Sequence, residues 1–263
     1  MEPRIRLRDA CFRYDEHEVF SGLNLDLYPG EVLCVLGPNG CGKTTLLRCL
    51  SGALKLNKGK AWLNGKDIAS FDIIELARKI GFLFQEHAAL FPFSVLEVVR
   101  MGRTPYLGLF GSPSAKDTEL AESALDKVGM LHIRHKPYTQ ISGGEKQLIL
   151  LARTLAQDPE VILLDEPTSH LDFKNQALSL RMINRLSEHS ISMVMTTHNP
   201  NHALLFPDTV AMMSGGKFIA SGQTMDVVTE DNLRETYGID VKLFSVPNPG
   251  GEGTFRFCTP WFK

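Results

Sequence analysis

The sequence predicts an α/β protein organised around one phosphate-binding loop. The stretch Gly37–Thr45 fits the spacing G-x-x-x-x-G-K-[ST], and it lies between an apolar run, Val32–Leu36, and a helix-like run, Thr45–Leu50. Two further apolar runs, 161–164 and 192–196, end in polar residues. Open α/β sheets bind ligands at the carboxyl ends of such strands, so these runs favour a sheet with its site at that edge.

The composition is that of an ordinary globular protein. The chain has 263 residues, enough for one large α/β domain or two small ones. Its hydrophobic fraction is 43% and its charged fraction is 22%, both usual values. Lys plus Arg total 28 against 30 for Asp plus Glu, so no basic excess indicates a nucleic-acid partner.

No apolar run in the sequence predicts a membrane segment. None approaches the ~18 residues that a spanning helix needs. Arg4, Arg6 and Arg8 break any run that would resemble a signal peptide. We therefore expect the chain to stay in the cytoplasm, with any membrane role coming through a partner. The five cysteines have no paired or metal-like spacing, which predicts reduced thiols.

The phosphate-binding loop predicts the chemistry of its ligand. Glycines leave backbone N–H groups free to surround phosphate oxygens, and the following helix points the positive end of its dipole at them. Lys43 adds a mobile charge, and the Thr44 hydroxyl can hold Mg²⁺. We expect a nucleoside triphosphate with Mg²⁺; the alternative is a plain Gly-rich turn. The residues expected to contact nucleotide here are Gly37, Pro38, Asn39, Gly40, Cys41, Gly42, Lys43, Thr44 and Thr45.

Two segments before this loop alternate apolar and polar residues, as half-buried antiparallel strands do. They are residues 5–14 and 23–27. Tyr14 closes the first strand at a place where its ring could stack on a nucleobase. The alternative is a core or edge aromatic beside Phe12.

The segment after the loop predicts a strand followed by a small helical subdomain. The strand, 80–84, ends in Gln85, which places this amide where a ligand is expected, although alone it is typical of an ordinary loop. Residues 90–93 and 106–110 put aromatic and apolar groups in loops, which favours a protein interface over a satellite core. Residues 118–128 form an amphipathic pattern and predict a helix.

A second candidate anion site opens a later helix. Ser142, Gly143 and Gly144 precede a helical pattern, and a helix N-terminus of this kind can bind an anion. The alternative is a capped helix with a Gly-rich entry.

Polar residues follow two later strands. Asp165 and Glu166 come after the apolar strand 161–164, and the pair suits one carboxylate on Mg²⁺ and one that orients or deprotonates water. The alternative is a pair of solvated turn residues. His198 follows the strand 192–196, where a lone histidine is usually structural or merely polar.

Over residues 5–228 the chain resembles the ATP-binding subunit of ABC transporters. The resemblance rests on motifs that occur in the family's order and at fitting distances. They are Tyr14 as the adenine-stacking aromatic, Gly37–Thr45 as Walker A, Gln85 as the Q-loop, Ile141–Glu145 as the signature, Val161–Glu166 as Walker B, Ser169–Asp172 as the D-loop and His198 as the switch histidine.

The resemblance implies a P-loop NTPase fold with a RecA-like core, an antiparallel β-subdomain and an ABC-specific helical subdomain. The whole chain would then be one nucleotide-binding domain. Its catalytic core with the β-subdomain would occupy 1–85 and 157–230, its helical subdomain 86–156 and its C-terminal tail 231–263.

The resemblance also implies a head-to-tail homodimer that binds and hydrolyses ATP. Walker A of one copy and the signature of the other would hold the same ATP, so that signature residues meet the γ-phosphate. The nucleotide-contacting residues in that half are Ser142, Gly143, Gly144, Glu145 and Asp172. The expected catalytic residues are Glu166 as general base, His198 at the γ-phosphate, Gln85 and Lys43; those at Mg²⁺ are Thr44, Gln85 and Asp165.

Two residues depart from the family's pattern. Glu145 stands where Gln is commoner, and its carboxylate near nucleotide could weaken or tune closure of the dimer. His170 replaces a more usual small residue of the D-loop.

Within the family, the segments 94–106 and 237–241 look like those of metal-chelate importers, which carry iron-siderophores, haem, cobalamin or molybdate. This implies a polytopic permease, in two copies, as partner, a substrate-binding protein as indirect partner, and a place at the cytoplasmic face of the membrane. The alternative is a soluble ABC ATPase of an assembly machine, of the iron–sulphur cluster scaffold type. The run Asp165–Thr168 and the segment 94–106 favour the importer.

Overall fold

The computed structural model describes residues 1–83, 92–108, 111–187, 191–205, 208–247 and 254–262. The chain divides into two compact units, one made of 1–70 with 190–263 and the other of 71–189. This division does not test the boundaries expected for the catalytic core, helical subdomain and tail, which stay a prediction.

The described residues form a mixture of strands and helices, as an α/β fold requires. The strands are β1 (Ile5–Tyr14), β2 (His17–Leu27), β3 (Val32–Leu36), β4 (Lys58–Leu63), β5 (Lys66–Asp67), β6 (Ile80–Leu83), β7 (Val161–Leu164), β8 (Ser192–Thr197), β9 (Thr209–Ser214), β10 (Lys217–Gln223), β11 (Val241–Pro247) and β12 (Thr254–Pro260). The α-helices are α1 (Lys43–Leu50), α2 (Ile73–Lys79), α3 (Val95–Arg100), α4 (Ala115–Lys127), α5 (Gly143–Ala156), α6 (Phe173–Ser187), α7 (Pro200–Leu205), α8 (Thr224–Val227) and α9 (Glu230–Tyr237). Short 3₁₀ helices cover Ile68–Ser70, Met101–Tyr106, Leu131–Ile133 and Tyr138–Gln140.

The first unit contains an antiparallel sheet in the order β2-β1-β4-β5. Its apolar residues alternate along the first part of β1, so Ile5 and Leu7 are fully buried on one face. A register shift at Asp9, whose φ is 47°, then buries Ala10 in place of residue 9. The predicted first strand is confirmed. The second strand begins earlier than predicted, at His17, because Asp15 adopts a left-handed φ of 49° and closes a short turn.

The same unit holds parallel strands that carry the phosphate-binding loop. β3 pairs in parallel with β8 and with β9, and β10 returns antiparallel beside β9. Every residue of β3 is buried, as the uninterrupted apolar run predicted. The loop therefore leaves the carboxyl end of a central strand and enters α1.

A C-terminal pair of strands also belongs to this unit. β11 and β12 are antiparallel, and Phe244 lies opposite Phe257 with ring centroids 5.5 Å apart. The other face of this hairpin carries Val241 and Cys258, both buried, so the hairpin packs on the unit through one side.

The second unit joins a parallel strand pair to a helical cluster. β6 and β7 pair in register along their whole length. α3, α4 and α5 share one core of fully buried apolar side chains: Val95, Val99, Ala121, Leu125 and Ile149. α4 begins at Ala115, earlier than predicted, because Ser114 and Asp117 form a capping box.

A buried ion pair fastens these helices together. Arg103 Nε donates to Asp117 Oδ1 at 3.0 Å and its guanidinium donates to Ala156 O, the last residue of α5, at 2.8 Å. The guanidinium also lies 3.9 Å from the ring centroid of Tyr106. The residue before this arginine is Gly102. A Cβ at this position would collide with the carbonyl of Arg153, so glycine allows the close approach.

Across the described ranges, no helix combines the length and the apolar character that crossing a membrane requires.

Candidate functional site

The side chain of Lys43 bonds back to the first two residues of the phosphate-binding loop. Gly42 caps α1 with a φ of 108°, which favours glycine. Lys43 is only 5% exposed, and its ammonium donates to the carbonyls of Gly37 at 2.8 Å and Pro38 at 3.0 Å. A Cβ built on Gly40 meets no described atom within 4 Å, so the tip of the loop is open. The loop thus has open space at Gly40 and a lysine ammonium held against its first two carbonyls.

Packing beneath the loop explains its remaining glycines. A Cβ on Gly37 would collide with the carbonyl of Met213 in β9. A Cβ on Gly42 would lie 3.0 Å from the Met213 side chain and 3.1 Å from that of Val19 in β2. Gly216, in the turn between β9 and β10, lies against the carbonyl of Val19 in the same way. Met213 in β9 and Val19 in β2 therefore pack directly against the loop, and Gly216 lets its turn approach Val19.

Cys41 and Tyr14, both predicted to contact nucleotide, differ in exposure. Cys41 is 7% exposed within the loop. Tyr14 is 43% exposed and packs edge-on against Phe12, with centroids 4.8 Å apart. The ring is therefore both an edge aromatic beside Phe12 and available on one side for a base.

The end of β8 is bonded directly to the start of the loop. Gly37 N donates to Thr197 O at 3.1 Å, so His198, the next residue, follows a strand end that is fixed to Walker A. His198 is exposed. Buried His202 stands nearby, and its pKa is lowered by burial and by the charge of His198.

In the second unit, the two carboxylates after β7 differ in their surroundings. Asp165 is 3% exposed, and its N–H donates to Leu83 O in β6 at 3.1 Å. Glu166 has a φ of 45°, unusual for a residue with a side chain. Its carboxylate accepts a hydrogen bond from the Ser169 hydroxyl at 2.8 Å. The buried acid is fixed by its strand, while the second is aimed by a partner in the D-loop.

The D-loop is a sharp turn that starts a helix. His170 has a φ of 62°, which asparagine or glycine would adopt more easily. Asp172 then caps α6, its Oδ1 accepting from Asn175 N at 2.8 Å. Phe173, the first residue of that helix, is 88% exposed.

The signature opens α5 through a capping box. Ser142 Oγ accepts from Glu145 N at 3.3 Å, and Glu145 Oε2 accepts from Ser142 N at 2.7 Å. The hydrogen bonds from the Ser142 backbone and side chain lower the pKa of Glu145. The Glu145 carboxylate therefore folds back onto the start of α5, a contact that Gln could also make.

The two signature glycines differ in what surrounds them. A Cβ on Gly143 meets no described atom within 4 Å. A Cβ on Gly144 would collide with the side chain of Asn175 in α6. Gly143 therefore faces open space, whereas Gly144 is required by helix packing.

The structure places the predicted residues in two groups. The first unit holds Walker A, Tyr14 and His198, and the second holds the Walker B carboxylates, the signature and the D-loop. Gln85 lies outside the described residues. The sequence analysis missed the roles of Ser169 and Asn175. Ser169 bonds to Glu166 only three residues away, across a turn whose left-handed residues the sequence does not mark. Asn175 lies against Gly144 through packing of distant segments, which leaves no pattern in the sequence.

Comparisons with known proteins agree with this geometry. The family model described as ABC transporter matches residues 20–169. The chain is 34% identical over 265 residues to the molybdate import ATP-binding protein MolC of Haemophilus influenzae, covering 100% of this chain and 98% of that protein. It is 35% identical over 251 residues to the hemin import ATP-binding protein HmuV of Rhizobium meliloti, covering 92% and 94%.

One solved structure extends the likeness to the whole fold. It is described as an inward-facing conformation of a metal-chelate type ABC transporter. The TM-score is 0.88 at 32% identity, and the alignment covers 100% of this chain and 99% of that chain.

Proposed function

This chain belongs to the ABC transporter family as an ATP-binding and ATP-hydrolysing subunit, and we propose that the transporter it energises imports a metal chelate. The observation that carries the proposal is the near full-length likeness to ATP-binding proteins named for the import of molybdate, hemin and, in Bacillus subtilis, iron(3+)-hydroxamate. Such cargoes are metal complexes, and iron-siderophores, haem, cobalamin and molybdate are the candidates here.

The open tip of the phosphate loop supports triphosphate binding. The loop from Gly37 to Thr45 would surround the phosphates with N–H groups, and Lys43 would leave its two carbonyl partners to pair with phosphate oxygen. Tyr14 would stack on the base. Each of these residues lies in the first unit.

The predicted metal ligands suit Mg²⁺ by their chemistry. Thr44 offers a hydroxyl, Gln85 an amide and Asp165 a carboxylate, which is the all-oxygen set that this hard cation prefers. When bound, Mg²⁺ would neutralise charge that develops on the phosphates.

The hydrolytic roles fall to two polar residues. Glu166, aimed by Ser169, would accept a proton from the attacking water. His198, at the strand end bonded to Gly37, would contact the γ-phosphate. Because α5 opens with an exposed Gly143, the second half of each site would come from the signature of another copy, in a homodimer.

Contacts around Phe93 support a route from a permease to the signature. Phe93 is 42% exposed, and its carbonyl accepts from Tyr138 N at 2.8 Å. Val95 N donates to Lys136 O at 2.9 Å in the same short ladder. The chain continues from residues 136–138 of this ladder through the 3₁₀ helix Tyr138–Gln140 to the signature at Ile141. Displacement of the Phe93 segment by a docked permease would therefore reach the residues that hold ATP.

The full assembly would place this subunit at the cytoplasmic face of the membrane. Two copies would dock on a two-copy polytopic permease, and a substrate-binding protein would deliver cargo to that permease from the other side. No basic excess in the sequence favours a nucleic-acid partner.

The test is to purify the tagged chain from its own host's membranes in mild detergent and identify its partners. We expect a polytopic membrane protein at equal stoichiometry, with ATP hydrolysis stimulated in the complex. Recovery only with soluble partners would contradict the importer and favour an assembly-machine ATPase. A binding assay on the copurified binding protein would then separate molybdate from iron and haem complexes.

A further inference from the structure

The C-terminal part of the first unit is bonded to the residue predicted to contact the γ-phosphate. Tyr237 is the last residue of α9, and its hydroxyl donates to the backbone carbonyl of His198 at 2.9 Å. The two residues are 39 positions apart in sequence. The contact joins the tail to the end of β8 through one side-chain oxygen.

The closing hairpin makes a second attachment to the same segment. Asn201 Nδ2 donates to Cys258 O at 3.1 Å, and Cys258 N donates to Asn201 Oδ1 at 2.7 Å. Both polar atoms of the amide thus pair with the backbone of β12. Because the pair fixes Asn201 in position and orientation, the chain just after His198 is held on its far side as well.

Between these attachments the segment is bonded to itself and to the phosphate loop. Thr197 O accepts from Gly37 N at 3.1 Å, and Thr197 Oγ1 accepts from Asn199 N at 3.1 Å. Asn201 N donates to Asn199 Oδ1 at 3.0 Å. The backbone of this turn is therefore fixed on both sides of His198, and the His198 side chain is exposed.

We propose that Tyr237 is a positioning residue for ATP hydrolysis, acting through the carbonyl of His198. The inference rests on the proposed function, because it takes His198 to act on the γ-phosphate. Without the Tyr237 hydroxyl, the His198 carbonyl bonds to water. Its peptide unit keeps the bond from Asn199 N to Thr197 Oγ1 and is less restricted in orientation. The imidazole then spends less time in the orientation that contacts phosphate. α9 and the β11–β12 hairpin thus belong to the catalytic apparatus.

The first test is Tyr237→Phe, which removes one oxygen and keeps the ring. We expect kcat for ATP to fall by about 2- to 10-fold, the effect of losing one hydrogen bond of ordinary strength. KM and the thermal midpoint should stay near their wild-type values, since Walker A is untouched. Tyr28→Phe is the matched control, because the Tyr28 hydroxyl makes no hydrogen bond within the described ranges. An unchanged kcat in Tyr237→Phe would overturn the proposal.

A double-mutant cycle separates positioning from general support of the fold. In the His198→Ala background, Tyr237→Phe should have no further effect on single-turnover phosphate release, because no imidazole is left to orient. An equal fall in both backgrounds would overturn the proposal. Asn201→Ala should lower kcat in the same direction and should also lose its effect in the His198→Ala background.

The same cycle distinguishes this inference from the function on which it rests. Wild-type turnover in His198→Ala would remove His198 from hydrolysis, and the inference would fall with it. Strong loss in His198→Ala with none in Tyr237→Phe would overturn the inference alone.

Discussion

Two features of Glu166 restrict the direction of its carboxylate. Its φ of 45° is a conformation that a residue with a Cβ adopts at some cost, on the order of 1–3 kcal/mol. Its carboxylate is also held by the Ser169 hydroxyl. Neither feature is needed to continue the chain into α6, which indicates that both serve to orient the carboxylate.

Glu166→Gln should keep ATP binding and stop turnover. The amide keeps the size and a hydrogen-bond acceptor but cannot take a proton, so we expect kcat to fall about 100-fold or more. ATP should then hold the dimer closed, which light scattering after gel filtration would detect. Ser169→Ala is the companion variant and should give a smaller loss. Brisk hydrolysis by Glu166→Gln would remove Glu166 from its role as base.

The two signature glycines predict opposite outcomes for the same substitution. Gly144→Ala must push Asn175 aside, so we expect lower thermal stability, relieved in part by Asn175→Ala in the double variant. Gly143→Ala meets open space and replaces glycine in the first turn of α5, so stability should hold or rise slightly. ATPase activity of Gly143→Ala should nevertheless fall, because the added methyl lies where ligand is expected. Full activity in that variant would place the nucleotide elsewhere.

At the scale of elements, the short ladder that joins residues 93–95 to residues 136–138 can lose one hydrogen bond by a single substitution. Val95 is the first residue of α3, a position where proline is well tolerated. Ser94 before it already has the extended backbone, φ −65° and ψ 156°, that a following proline requires. Val95→Pro therefore removes the bond to Lys136 O and leaves α3 in place.

Val95→Pro should uncouple the subunit from its permease. We expect stimulation of ATPase by the permease to fall about 5-fold or more, the lower end of ordinary coupling free energies. The rate of the isolated subunit should not change. Val95→Ala keeps the N–H and is the control for the lost side chain. Equal stimulation of Val95→Pro and wild type would show that coupling follows another route.

The Arg103–Asp117 pair makes a prediction about stability and pH. Hydrogen bonds from Ser114 and then from Arg103 lower the pKa of Asp117 from its ordinary 3.8 to about 2. Because the folded pKa lies below the unfolded one, this stabilisation is present above about pH 4 and is lost as the pH falls towards 2. Arg103→Met should lower the free energy of unfolding near neutral pH, since it removes the cation that donates to the Asp117 carboxylate.

Denaturant unfolding at several pH values would check this prediction. The difference between Arg103→Met and wild type should shrink below about pH 4, and the pKa of Asp117 should rise only in part because the Ser114 bonds remain. A pH-independent difference would show that packing alone, such as the contact with Tyr106, is what the arginine supplies.

Elements were predicted well where one local rule decided them. The uninterrupted run of β3 and the alternation of β1 each fixed a strand. The start of α4 was predicted too late, since the capping pair Ser114 and Asp117 lies outside the apolar pattern that was counted. The length of β2 depended on the left-handed turn at Asp15, which the sequence does not specify.

At the scale of the whole molecule, the exposed Phe93 should meet the permease. Phe93→Asp places a charge on that surface, so transport by the assembled complex should be lost while nucleotide binding by the isolated subunit is kept. Phe262→Asp, at a side chain 87% exposed in the other unit, is the matched control. Normal transport by Phe93→Asp would mean that the docking surface is misplaced. Phe91, its neighbour in the predicted surface, lies outside the described residues.

The positions of the nucleotide motifs could be read from the sequence because each motif is contiguous. The residues that support these motifs could not be predicted from the sequence. Met213 lies against Gly37 and Tyr237 reaches His198, and both contacts are made by chain folding over many residues. Ser169 holds Glu166 from three residues away, through the local shape of a turn that the motif does not specify. The roles assigned to Gln85 and to the Mg²⁺ ligands stay predictions.

The glycine in the turn between β9 and β10 has a consequence for genetics. Gly216 lies against the backbone of Val19, and the Val19 side chain lies close to Gly42 of the phosphate loop. A screen of random mutants for lost ATP binding should therefore recover substitutions at Gly216 together with those in the loop. A prediction from the sequence motifs alone would class substitutions at Gly216 as neutral, although they act on the packing between Val19 and the phosphate loop.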